Sequence, residues 1–97
     1  MGRKYNLPVE YSSLSYRERR LVREQYIVEQ GGNCHYCGES LDNSPRADVL
    51  AKPLNMRLFP ENFLKYPVHL HHCHDSDLTI GAVHSYCNGV LWQYESE

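Results

Sequence analysis

The run His71-His72-Cys73-His74 sets four residues of metal-binding or proton-transferring type side by side, and Cys87-Asn88 follows at the end of the next segment. Imidazole can take a proton from water near neutral pH, while imidazole, thiolate and amide oxygen all ligate divalent cations. Upstream, Cys34-His35-Tyr36-Cys37 has the two-residue gap that lets both thiolates of a knuckle reach one ion. His84-Ser85-Tyr86-Cys87 repeats that gap with an imidazole in place of one thiolate. A Cys3His zinc site at Cys34, Cys37, His84 and Cys87 is therefore expected. Cys73 is the alternative fourth ligand, ranked below His84 because it lacks knuckle spacing. Buried thiols that bind nothing explain two such knuckles less well than a metal does.

The histidine run suits a different task. Hydrolysing a phosphodiester needs a water deprotonated near neutral pH, and something to absorb charge on the phosphate and the leaving oxygen. Histidine supplies the base, and a hard divalent cation supplies the charge. Adjacent strand residues point to opposite faces, so His71 and His72 approach one place only if their strand ends or bends there. Two roles follow: one histidine holds the metal and the other acts on water, with Asn88 offering a carbonyl oxygen from the start of the last helix. Singly, each residue has a plainer reading. Asn88 suits a helix cap, His69, His71 and His74 suit a surface, and Cys73 suits simple packing.

These groups must be positioned by one small domain. The chain has 97 residues, a size at which the apolar core leaves little stability without a staple, and its four cysteines offer one. No N-terminal apolar run resembles a secretory signal, and no stretch approaches the ~20 apolar residues that span a bilayer. A cytoplasmic setting is thus expected, with no membrane association, and the cysteines read better as zinc thiolates than as disulfides. The formal charge of -2 argues against a polyanionic partner in general. Its distribution argues less strongly, since residues 1–30 hold six of the ten basic residues and only four acidic ones.

Residues 1–14, with Pro8 and scattered tyrosines, read as an irregular arm. Ser15 and Glu18 have capping-box spacing, Leu14 precedes them as a staple residue would, and Gly31-Gly32 supplies a stop, so a helix is expected over Tyr16 to Gln30. On it Leu21, Val22, Gln25, Tyr26 and Val28 share a packing arc, and Arg17, Arg20 and Arg23 form a cationic ridge at i+3 steps. The ridge suits a solvated surface and a phosphate-contacting one equally. Residues 38–68 contain Pro45, Pro53, Pro60 and Pro67 and read as an irregular excursion, with room for a helical turn in Pro45 to Leu54 or Pro60 to Tyr66. Val68 to His72 and Leu78 to His84 are candidate strands joined by Asp75-Ser76-Asp77, and the Asn88 region opens a last helix carrying Val90, Leu91, Trp92 and Tyr94. The expected C-terminal order over residues 68–97 is β, β, α.

With these motifs in place, the chain resembles the HNH or His-Me finger nucleases, and is most similar to the phage recombination endonuclease VII branch. The resemblance covers roughly residues 15 to 38 and 68 to 94. It implies an α+β fold: a small zinc-braced ββα-metal domain with an N-terminal helix. It also implies DNA as partner, a catalytic magnesium or manganese ion, and 5′-phosphate products. By position, His72 would be the general base, His71 and Asn88 would bind the catalytic ion, and His74 would assist at the phosphate. Cys34, Cys37, His84 and Cys87 would hold zinc. The branch commonly carries aspartate where this chain has His71, a substitution less suited to hard magnesium and open to another transition metal. It commonly has cysteine at the place of His84, a shorter excursion than 38–68, and no histidine after Asn88, as here.

The expected function is metal-dependent DNA cleavage, with Arg17, Arg20 and Arg23, together with Arg3 and Lys4, contacting the backbone. A single site cuts one strand per encounter, so a double-strand break would call for a homodimer. The alternative is a non-catalytic zinc module that binds nucleic acid or protein. A disulfide-stapled peptide using Cys34, Cys37, Cys73 and Cys87 is the third reading.

Overall fold

The computed structural model describes residues 5–95. Helix α1 (Tyr16–Glu29) is followed by a one-turn helix α2 (Ala47–Leu50), strands β1 (Val68–His72) and β2 (Thr79–His84), and helix α3 (Ser85–Glu95). The architecture is α+β on a two-stranded antiparallel hairpin. Among the described residues no helix is long and apolar enough to cross a membrane.

Helix α1 starts where its cap dictates. The Glu18 amide donates to Ser15 Oγ at 3.1 Å and the Ser15 amide donates to Glu18 Oε1 at 2.9 Å, satisfying two of the donors that a helix start leaves open. It stops at Gly31 and Gly32, whose φ values of +67° and +80° lie in the left-handed region that only glycine enters freely. The buried stripe is narrower than the expected arc. Val22 and Tyr26, one turn apart, are buried and Ile27 packs beside them, whereas Leu21 is 39% and Val28 79% exposed. The sheet under the helix is two strands wide, so it covers one turn-to-turn row and leaves the flanking positions in water.

Gln30, at the end of α1, ties the helix to the hairpin. Its side-chain oxygen accepts from the Ala82 amide at 2.8 Å, and its amide nitrogen donates to the Ala82 carbonyl at 2.9 Å. The side chain thus occupies part of the free edge of β2, where the His35 amide also donates to the Ala82 carbonyl at 3.0 Å. The edge is covered instead of being left open to another chain. Close approach there leaves no room for a Cβ at Gly81, which would meet Gln30 Oε1 at 2.8 Å and His35 at 3.0 Å.

The hairpin runs in regular register from Val68↔His84 to His71↔Gly81, then shifts so that His72 opposes Thr79 and Ile80 is left over. Such a bulge bends the strand and re-aims the side chains beside it. Leu14, Val22, Leu41, Val49, Val83 and Val90 form one core with the three buried cysteines, gathered from the arm, α1, the Cys34–Cys37 knuckle, the excursion, β2 and α3.

Two segments expected to be irregular are built into this core. The described part of the N-terminal arm is pinned across the hairpin tip: Glu10 bridges Leu78, the Thr79 amide donates to the Val9 carbonyl at 2.9 Å, and the Tyr11 amide donates to the Asp77 carbonyl at 2.7 Å. Residues 5–14 are irregular, as expected of an arm, with one bridge and a single short turn, and these contacts fasten them to the hairpin; Arg3 and Lys4 lie outside the described residues. The excursion contributes Leu41 and Val49 to the core and is clamped to α3, where the Gln93 side chain accepts from the Asn55 amide at 2.8 Å and Tyr86 Oη donates to the Lys52 carbonyl at 2.6 Å. Its helical turn falls at Ala47–Leu50, and tight turns follow Pro60.

Candidate functional site

Two sites share the hairpin. At the first, the Cys34–Cys37 knuckle faces the junction where β2 passes straight into α3, so that His84 ends the strand and Cys87 lies in the first turn of the helix. Cys34, Cys37, His84 and Cys87 are all buried, and their ligand atoms lie within 4.8 Å of one another. His84 Nδ1 stands 3.5 Å from both Cys37 Sγ and Cys87 Sγ. A tetrahedral zinc ion with Zn–S about 2.3 Å and Zn–N about 2.0 Å has an N···S edge of about 3.5 Å, so the spacing suits that ion.

The surroundings prepare the group for a cation. His84 Nε2 lies 2.9 Å from the Ser40 carbonyl, which can only accept, so Nε2 carries the proton and Nδ1 turns its lone pair to the cysteines. Gly38, at φ +82°, closes the knuckle, and the Tyr36 amide donates to Cys34 Sγ at 3.4 Å. Hydrogen bonding from the Cys87 thiol, helped by backbone amides, holds Cys34 far below the ordinary thiol range, at about 4. The same contact, with burial, pushes the Cys87 thiol up. Neighbouring thiolates repel, and a divalent cation removes that repulsion. Cys73 is outside the group: it sits in the hairpin turn, where its amide donates to the Leu78 carbonyl at 2.9 Å, and His84 is the fourth member. All four cysteines are free thiols.

The second site is a cleft of about 760 Å³ beside the hairpin. His71, His72, His74 and Asn88 all line it, as the bulge allows: His71 is buried while His72 is half-buried at the point where the register shifts. Asn88 does not cap α3, which begins three residues earlier at Ser85; it projects from the first turn. Its Nδ2 donates to His69 Nδ1 at 3.1 Å, leaving the amide oxygen for another partner.

His72 is held by stacking. The Tyr11 ring lies against its imidazole with centroids 3.8 Å apart and planes 5° from parallel, and His74 follows at 4.8 Å. The Arg19 guanidinium sits 4.0 Å from the Tyr11 centroid, on the face that His72 leaves open. Burial lowers the His72 pKa and the neighbouring His74 lowers it further, so this imidazole is neutral near neutral pH. Burial lowers His69 likewise, against a hydrogen bond to the backbone of Phe63.

Helix α1 forms one wall through Arg19, Arg20 and Arg23. Arg20 pairs with Glu24 at 3.3 Å, both exposed, and Arg19 Nε is buried without a hydrogen-bond partner. Arg17 does not line the cleft; the helical repeat brings Tyr16, Arg19, Arg20 and Arg23 to this side instead. The other wall comes from the excursion and α3, with Phe59, Phe63, Tyr66 and Trp92. No aspartate or glutamate lines the cleft among the described residues, although the chain carries twelve.

Sequence reasoning missed Arg19, His69 and Tyr11. Two of them left a trace: His69 is two residues from His71, hence on the same strand face, and Arg19 lies one turn from both Tyr16 and Arg23. Tyr11 left none, because its place depends on the arm crossing the hairpin. Comparison with protein-family models, with curated proteins and with solved structures finds no match to this chain.

Proposed function

We propose that the chain is a metal-dependent DNA endonuclease of the ββα-metal type, with the Cys3His group as its structural zinc brace. The observation that carries the reading is the cleft itself: Arg19, Arg20 and Arg23 line it beside four histidines, without a carboxylate among the described residues, in a chain whose net charge is -2. A concave surface lined by arginines and by no described acid, in an acidic protein, favours a polyanion there. The β, β, α order and the lining of one cleft by His71, His72 and Asn88 support the chemistry.

His71 and Asn88 would hold the catalytic divalent ion, which when bound supplies charge stabilisation at the phosphate and the departing 3′ oxygen. One imidazole and one amide oxygen make a softer donor set than paired carboxylates, so manganese or another borderline ion should serve better than magnesium. His72, kept neutral by burial and oriented by Tyr11, takes the proton from water as its oxygen attacks phosphorus. His74, its ring 4.8 Å from that of His72, would donate toward the phosphate. His69 fixes Asn88 through the Nδ2 hydrogen bond.

Supercoiled plasmid incubated with zinc-loaded protein and manganese should be nicked, and His72→Ala should abolish nicking while retaining zinc and fold. Plasmid left intact by the wild-type protein, across magnesium, manganese, cobalt and nickel, would remove the catalytic assignment. DNA binding that persists in that case would leave the non-catalytic zinc module as the function.

A further inference from the structure

The aromatic wall of the cleft offers no group that would ligate the ion or move a proton. Trp92 and Tyr66 are 42% and 56% exposed, and large aromatic rings left in water inside a concave surface are a standing cost unless a ligand covers them. The wall is also braced. Trp92 meets the edge of Phe59 at 5.4 Å, Phe59 packs on Phe63 at 4.6 Å, and Phe63 meets His69 edge-on at 4.8 Å. This ladder runs from the rim to the histidine that orients Asn88, and it comes from the excursion and α3, away from the arginine wall on α1.

We propose that this wall is a stacking platform for unpaired bases, so that the cleft takes a single-stranded DNA segment rather than uninterrupted duplex. The proposal rests on the cleft being a DNA site. The arginine wall matches the backbone phosphates, whereas a paired base hides both faces inside the helical stack and offers nothing to Trp92 or Tyr66. An unpaired strand offers both: phosphates along Arg19, Arg20 and Arg23, and base faces turned to the opposite wall. Stacking of this kind is indifferent to base identity, since every base has a π face. Substrate choice would then follow strand pairing rather than sequence.

Trp92 is the single tryptophan, so its emission reports stacking directly. Zinc-loaded protein without added divalent metal is titrated with oligothymidylate and, separately, with a duplex of equal length. Oligothymidylate should quench the emission and bind roughly ten-fold or more tightly than duplex. Labelled-oligonucleotide anisotropy should then show Trp92→Leu and Tyr66→Leu each weakening single-strand binding by roughly five-fold or more while duplex binding stays unchanged. Both positions are exposed, and a zinc stoichiometry held at one per chain confirms that each variant folds. Equal, unquenched binding of the two polymers would overturn the stacking platform while leaving the DNA site standing. Binding of neither would overturn both.

Discussion

Tyr11 lies flat on the imidazole of His72, 3.8 Å from centroid to centroid, although sixty-one positions separate them in the chain. The contact depends on the arm being held across the hairpin tip, and it fixes the ring plane of the proposed base. Orientation of a base contributes to the transition state more than to ground-state binding. Tyr11→Ala should therefore lower kcat for nicking by roughly ten-fold or more with little change in KM, and Tyr11→Phe should keep most of the activity, since the ring and not the hydroxyl makes the stack. Equal losses in the two variants, or a loss confined to KM, would argue against positioning.

The Cys3His group, which could hold zinc, ties the first knuckle to the junction where β2 passes into α3. Structural zinc contributes roughly 10–16 kcal/mol to folding in small zinc domains, comparable with or above the whole stability of a domain this size. Cys87→Ala should give a protein without a cooperative thermal transition and with less than one zinc per chain by elemental analysis. Cys73→Ala should keep both, because Cys73 sits in the hairpin turn. Zinc retained in the first variant, or lost in the second, would mean that the ligand set is wrongly drawn.

Asp77 gives the arm its pH dependence. Its carboxylate accepts from the Ser12 amide at 2.9 Å, and this hydrogen bond, with weaker help from His72 and Arg19, holds its pKa below the ordinary carboxyl value. A depressed folded-state pKa stabilises the fold above the unfolded carboxyl pKa of about 3.9, and that stability is lost as pH falls through the lower folded value. Asp77 also has φ +62°, which asparagine tolerates nearly as well, so Asp77→Asn removes the charge without straining the turn. The variant should melt below wild type by a constant margin from neutrality to about pH 5, and the margin should narrow only below about pH 4. Shared proton uptake by the cysteines of the Cys3His group cancels in this difference. A margin that already closes near neutrality would point to a histidine.

Local sequence carried the parts of this fold that local chemistry fixes. The Ser15/Glu18 box and the glycine pair bounded α1, the two-residue gaps gathered the zinc group, and alternation marked β1. A strand end or bend at His71 and His72 was the condition for both to approach one place, and the register shifts between them. What escaped depends on contacts between distant segments. Nothing near Phe59 says that it will meet Trp92 some thirty residues later, and nothing in residues 5–14 says that Glu10 will bridge Leu78. Asn88 was misplaced as a cap because β2 and α3 meet without a loop, so the usual signal of a helix start is missing. The arginine ridge was drawn in steps of three, and the 3.6-residue turn carries it past Arg17 to Arg19.

That displacement can be tested by salt. Arg19 lines the cleft with a buried Nε that lacks a hydrogen-bond partner, while Arg17 is exposed and lies off the cleft. A guanidinium that contacts a phosphate releases about one counterion on binding, so its removal lowers the slope of log K against log salt by about 0.7 for a single strand and about 0.9 for duplex. Arg19→Ala should weaken DNA binding and reduce the slope by about that amount, with Arg23→Ala behaving alike. Arg17→Ala should leave the slope unchanged and move affinity by less than about two-fold, the effect of one distant, screened charge. Arg19 also stacks on Tyr11, so Arg19→Lys separates the two contributions: lysine retains the charge and hence the slope, but loses the planar contact that steadies Tyr11 and His72. A normal slope with reduced nicking in Arg19→Lys is the expected combination. A slope lowered as far as in Arg19→Ala would show that guanidinium geometry, and not charge alone, makes the phosphate contact.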